Sequence, residues 1–196
     1  MRIRAVLVLV LAALAGSFLE QGIVLAQVNP SAQYRILATN RTSTMERELN
    51  EAAEGGFRFV TVMGGETAVG GNEVVALMFG TGGPAQYSYK LLATNRTSTM
   101  ERELQEAADA GFLYRGQTIF KTAFGGEEVV CILERDANAS VQPTQYKLLA
   151  TNRTSTLEKE LLEAAAAGYE VVGMTVAKTA MGGKELVVIT KRTSLP

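Results

Sequence analysis

The chain contains no histidine and no tryptophan, and Cys131 is its one cysteine. This composition removes Ser-His-Asp and Cys-His nucleophilic sites, histidine metal sites and the commonest general base. A single thiol also excludes thiolate zinc sites and any disulfide within the chain. Neither a metal nor a cofactor is expected, and the chain reads as a non-enzyme. The enzymatic alternative is a hydrolase without histidine, using Ser, Thr, Lys or carboxylates in a cleft between repeats.

The residues best placed for chemistry form a corner that occurs three times. The heptapeptide Ala-Thr-Asn-Arg-Thr-Ser-Thr stands at 38–44, 93–99 and 150–156, each time ahead of a helical pattern. Backbone N–H groups at a helix start attract anions, and the pairs Asn40 with Arg41, Asn95 with Arg96, and Asn152 with Arg153 would complete such a site. The alternative is a capped turn. Ser43 with Glu46, Ser98 with Glu101 and Ser155 with Glu158 each fit a capping box, and the glutamates would then already occupy the positive helix end. The capped turn is the favoured reading. The same Asn-Arg-Thr triplets and Asn138-Ala139-Ser140 match the glycosylation sequon, but a helix start needs the same residue types.

Three further sets carry less. Val69, Phe124 and Met181 each precede Gly-Gly at a hairpin tip, where an apolar side chain either contacts a ligand or tucks under a neighbouring unit; packing is favoured. Cys131 aligns with Ala76 and Val188, which makes it a buried small hydrophobe. The acidic residues of the helices alternate with Arg47, Arg102 and Lys159 and read as solvated surface charge.

The elements that must position these residues are repeated as well. Copies run over 34–79, 89–135 and 146–192, joined by linkers 80–88 and 136–145 that contain Gly and Pro. Each copy opens with a short strand such as Tyr146 to Ala150. A helix of about 12 residues follows, with an apolar stripe: Met45, Leu49, Ala52 and Ala53 in the first copy, Leu157, Leu161, Ala164 and Ala165 in the third. Gly56, Gly111 and Gly168 end the helices as left-handed caps. Two further strands follow, the second of them apolar on both faces, as in Val129-Val130-Cys131-Ile132-Leu133. That strand belongs in the middle, in spatial order 1-3-2 with antiparallel neighbours.

The fold class is therefore α+β: three tandem β-α-β-β repeats with antiparallel sheets, one helix per unit, packed around a shared core. A unit this small is marginal alone, so the copies must pack on one another. One continuous sheet and a pseudo-threefold arrangement both remain open.

The pattern Tyr-Lys-Leu-Leu, a helix ending Ala-Ala-x-x-Gly-Tyr-Glu-Val-Val, then Gly-Gly and Leu-Val-Val-Ile-Thr-Lys-Arg resembles the bacterial domain-of-unknown-function 4177 family. The third copy, Leu157 to Arg192, carries the likeness best. The first departs from it at Phe57-Arg58-Phe59 and the glycine-rich Gly64-Gly65-Glu66, where a strand is less well defined. The resemblance implies a β-α-β-β fold and bacterial origin, and no activity.

The N-terminal 26 residues carry Arg2 and Arg4, an apolar run from Ala5 to Leu19, and Val24-Leu25-Ala26, the three parts of a cleavable signal peptide. The run is shorter than the ~20 residues of a spanning helix. Cleavage after Ala26 is expected, giving a periplasmic or secreted protein without a membrane anchor. Loss of Arg2, Arg4 and Glu20 from 19 basic and 20 acidic residues leaves 17 against 19, no electrostatic footprint for nucleic acid. The leading expectation is a non-catalytic exported binding or assembly module whose partner is another protein or a second copy. A small-molecule binder with a pocket between repeats is the alternative.

Overall fold

The apolar third strand of each repeat does take the middle place. A computed structural model describes residues 33–68, 71–121, 126–178 and 183–193; the segment 1–26, expected to be a signal peptide, lies outside the described residues. Unit 1 comprises β1 (Tyr34–Thr39), α1 (Thr42–Glu54), β2 (Phe57–Thr67) and β3 (Gly71–Gly80). Unit 2 comprises β4 (Tyr87–Thr94), α2 (Thr97–Asp109), β5 (Leu113–Lys121) and β6 (Glu127–Asp136), and unit 3 β7 (Thr144–Thr151), α3 (Thr154–Ala166), β8 (Glu170–Lys178) and β9 (Lys184–Thr193). The sheets run β1-β3-β2, β4-β6-β5 and β7-β9-β8, all antiparallel. The fold is thus α+β, in three repeated units with separate sheets. In β6 the six residues Val129 to Glu134 are all buried, because α2 covers one face and a neighbouring unit the other.

Each helix begins one residue before the expected serine and ends under a glycine whose φ is +79°, +83° or +83° at Gly56, Gly111 and Gly168. That left-handed turn lets Phe112 and Tyr169 donate their N–H back to Ala107 and Ala164. The expected capping boxes do not form. The N-cap residues are Arg41, Arg96 and Arg153, and no side chain caps the helix from that position. The threonine two residues earlier instead accepts the N-cap N–H, as from Arg41 to Thr39 at 3.2 Å.

Met45, Leu49, Ala52 and Ala53 are buried as expected, and so are their counterparts on α2. On α3 the expected stripe is incomplete: Leu157 and Ala164 are buried, Leu161 is half-buried and Ala165 is exposed. The reason is the way the core is shared. Unit 1's cluster includes Tyr89, Phe120, Val130 and Ile132 from unit 2, and unit 2's cluster includes Tyr146, Ala177, Val187 and Ile189 from unit 3. Unit 3's cluster, around Leu149, Leu157, Ala164 and Val188, draws on its own residues. Packing therefore runs in series, each unit covering the one before.

The glycine-rich stretch of the first copy, where the strand is less well defined in the sequence, belongs to β2, which runs through Gly64 and Gly65 to Thr67. A Cβ added at Gly64 would lie 2.0 Å from the Ile119 carbonyl oxygen of unit 2. Glycine stands there because a neighbouring backbone does.

Candidate functional site

The contact between successive units is built twice from the same parts. A residue-long bulge interrupts the second strand of each unit, after Phe59, Tyr114 and Val171. At the first junction the Phe59 N–H donates to the Tyr89 hydroxyl at 2.7 Å, and at the second the Tyr114 N–H donates to the Tyr146 hydroxyl at 2.8 Å. The helix of the earlier unit then clamps the open edge of the later unit's first strand. Glu46 accepts the Leu91 N–H at 2.8 Å, and Glu101 accepts the Leu148 N–H at 2.8 Å. Asn50 both accepts the Tyr89 N–H and donates to the Tyr89 carbonyl; Gln105 accepts the Tyr146 N–H and donates to the Thr144 carbonyl. An exposed sheet edge is thereby closed by helix side chains. The glutamates expected to cap their own helices do this instead.

Close approach completes the junction. A Cβ added at Gly116 would meet the Phe59 ring at 3.3 Å, and one at Gly173 would fall 2.3 Å from the Tyr114 hydroxyl oxygen. Burial pushes the Tyr89, Tyr114 and Tyr146 hydroxyls up from the ordinary value, so all three stay protonated at neutral pH.

The first junction also holds a cluster that the second lacks. The Glu134 side chain, 4% exposed, is gripped by Arg58 through Nε and Nη2 at 2.8 to 3.2 Å, and accepts the Tyr89 O–H at 2.9 Å. Arg115 Nε stands 3.5 Å away, and the Arg58 guanidinium lies over the Tyr87 ring at 4.3 Å. The hydrogen bond to Glu134 is the main reason the Arg58 guanidinium holds its proton more firmly than usual. At the second junction Leu113 and Lys191 stand where Arg58 and Glu134 would. Arg58, Arg115, Glu134 and Lys191 line an open groove of about 590 Å³ with Ala139, Ser140 and Val141. The carboxylate is committed to its donors, so the cluster acts as a lock between units. Sequence reasoning missed it; a carboxylate closing the otherwise apolar run Val129 to Leu133 was the one signal.

At the ends of the series the same surfaces lie open. Tyr34 is 67% exposed, whereas its counterparts Tyr89 and Tyr146 are 3% and 5% exposed. On α3, Leu162 replaces the clamping amides Asn50 and Gln105 and is 68% exposed. Beside it a groove of about 540 Å³ is lined by Leu161, Ala165, Tyr169 and Val171.

The residues singled out from sequence lie elsewhere. Asn40, Arg41, Asn95, Arg96, Asn152 and Arg153 are all exposed at the three corners, one per unit, and are not brought together. At the second corner, Asn95 and Arg96 border Ala177 and Lys178 of unit 3. Val69, Phe124 and Met181 lie outside the described residues. Cys131 is fully buried, and burial pushes its thiol up. Among the described residues no helix is long and apolar enough to cross a membrane, and no group of three or more Cys, Asp or Glu side chains is placed to hold a metal. No protein-family model matches the chain, and comparison with curated proteins and with solved structures returns no match.

Proposed function

We propose that the chain is a non-catalytic, exported module that works by binding protein through the two open ends of its repeat series. One observation carries this reading: the helix face that holds a strand on α1 and α2 is uncovered on α3 and presents Leu162 in place of a polar amide. A terminal repeat that had only to be wetted would present a polar face. The absence of histidine and the commitment of the buried carboxylate Glu134 to its donors favour binding over catalysis. The three-part N-terminal segment supports export to a periplasmic or extracellular space, and the repeat pattern supports kinship with the domain-of-unknown-function 4177 family.

The test is a photoreactive residue in place of Leu162, in cells exporting the protein at its native level. A discrete cross-linked species of any composition is expected on irradiation. Uncross-linked chain alone, with the same residue placed at buried Leu104 giving its intramolecular product, would overturn the reading.

A second reading has its own observation, the groove of about 590 Å³ that Arg58 and Glu134 of the first junction share with Leu113 and Lys191 of the second. A small anion there would compete with Glu134 for Arg115 and with Glu170 for Lys191. Protection of Arg115 against an arginine-modifying dicarbonyl by added small carboxylates tests it, and equal modification with and without them would exclude it.

A further inference from the structure

We infer that the protein binding at the open ends is head-to-tail association with a second copy of this chain, β1 of one copy docking on α3 and β8 of the next. This rests on the binding-module reading and names its partner.

The two open ends are the two halves of the junction that the chain already makes twice. Tyr34, Ile36 and Met63 are exposed at one end; Leu162, Val171, Met174 and Val176 are exposed at the other. These seven account for most of the large apolar side chains left exposed among the described residues, and concentrated patches of this kind mark contact surfaces. Tyr34 and Leu162 are both open, so one copy does not close on itself.

Position by position the halves fit. Tyr34 aligns with Tyr89 and Tyr146, whose hydroxyls take the bulge N–H of the preceding unit; at the far end that N–H belongs to Val171. Ile36 aligns with Leu91 and Leu148, whose N–H groups are taken by Glu46 and Glu101; Glu158 is the equivalent carboxylate on α3. Charge follows the same order. Lys90 shares a groove with Glu46 and Lys147 shares one with Glu101, which sets Arg35 against Glu158. The groove beside Leu161 and Ala165 stands where Tyr89 covers Leu49 and Ala53 in unit 1.

Volume is compensated as well. Within the chain a large aromatic meets glycine, Phe59 on Gly116 and Tyr114 on Gly173. Across the ends the partners would be Val171 and Thr61, a smaller residue facing a larger one. An apolar Leu162 where the inner units keep Asn or Gln gives this contact a more hydrophobic character than the inner junctions have. Because the contact joins unlike surfaces, it makes rings if the rotation closes and filaments if it does not.

The experiment uses two variants, Ile36→Glu and Leu162→Glu, each at an exposed position. The purified wild type should gain mass with concentration in sedimentation equilibrium. Each variant alone should remain monomeric, with association weakened at least tenfold. Mixed, the two should form a one-to-one dimer and stop, because each contributes the half that the other has lost. That dimer also shows both variants folded. Leu162→Gln, which restores the amide of Asn50 and Gln105, should associate at least as tightly as the wild type. A wild type that is monomeric up to millimolar concentration, variants that associate like the wild type, or a mixture that stays monomeric while the wild type associates would each overturn the inference. If the wild type is monomeric while the photoreactive residue at 162 still captures a discrete species in cells, the second copy is excluded and the binding module stands. If neither appears, both fall.

Discussion

The hydroxyl of Tyr146 accepts the backbone N–H of Tyr114 at 2.8 Å, reaching from the first strand of unit 3 into the bulge of unit 2. Tyr89 makes the same bond to Phe59 one unit earlier, and Tyr34, their counterpart in unit 1, is exposed. Removing the hydroxyl leaves a buried donor unsatisfied. Tyr146→Phe should therefore cost about 1 to 3 kcal/mol in urea denaturation, and Tyr89→Phe at least as much because Glu134 also loses a donor. Tyr34→Phe in the dilute chain should change stability by less than about 0.5 kcal/mol. Equal effects at all three positions would contradict the role of this bond.

The Arg58–Glu134 pair predicts a non-additive pattern. Arg58→Leu leaves a carboxylate buried with only Tyr89 and the more distant Arg115, and should cost about 3 kcal/mol. The double variant Arg58→Leu, Glu134→Leu removes the buried carboxylate together with its half-exposed partner and should recover part of that loss, since no unpaired buried charge is left behind. The check is a double-mutant cycle by chemical denaturation; additive losses would show that the pair is not coupled.

Much of this architecture was legible in the residues. The apolar run from Val129 to Leu133 identified a strand covered on both faces, and the helix stripe from Met45 to Ala53 identified the buried side of α1. The junctions were not legible, for physical reasons. Ser-x-x-Glu suits a capping box and an inter-unit clamp equally well, and only the fold brings Glu46 to the Leu91 N–H, 45 residues on. Gly64 and Gly65 left the strand less well defined because what requires glycine at Gly64 is a backbone in another unit. Arg58 and Glu134 lie 76 residues apart in different copies, so no local spacing connects them.

Alkaline pH gives a third outcome. Tyr89, Tyr114 and Tyr146 all have hydroxyls raised above the ordinary 10.0, chiefly by burial. Above that value the unfolded chain releases protons that the folded chain retains, so stability falls as pH rises. The loss sets in as pH rises through about 10, and a proton fully retained by the folded chain corresponds to at most about 1.4 kcal/mol per pH unit. Tyr146→Phe should make the decline shallower than in the wild type. Denaturation midpoints that decline in parallel for variant and wild type would contradict the assignment.

The most direct measurement is residue-resolved hydrogen exchange on the purified wild-type chain across a range of concentrations. The amides of Phe59, Leu91, Tyr114 and Leu148, held by inner junctions, should be protected at every concentration. The amides of Ile36 and Val171, their counterparts at the open ends, should exchange quickly in dilute solution and gain protection together as concentration rises. Protection at Ile36 and Val171 that never changes with concentration, while the inner amides behave as described, would contradict the claim that the two ends are halves of one interface.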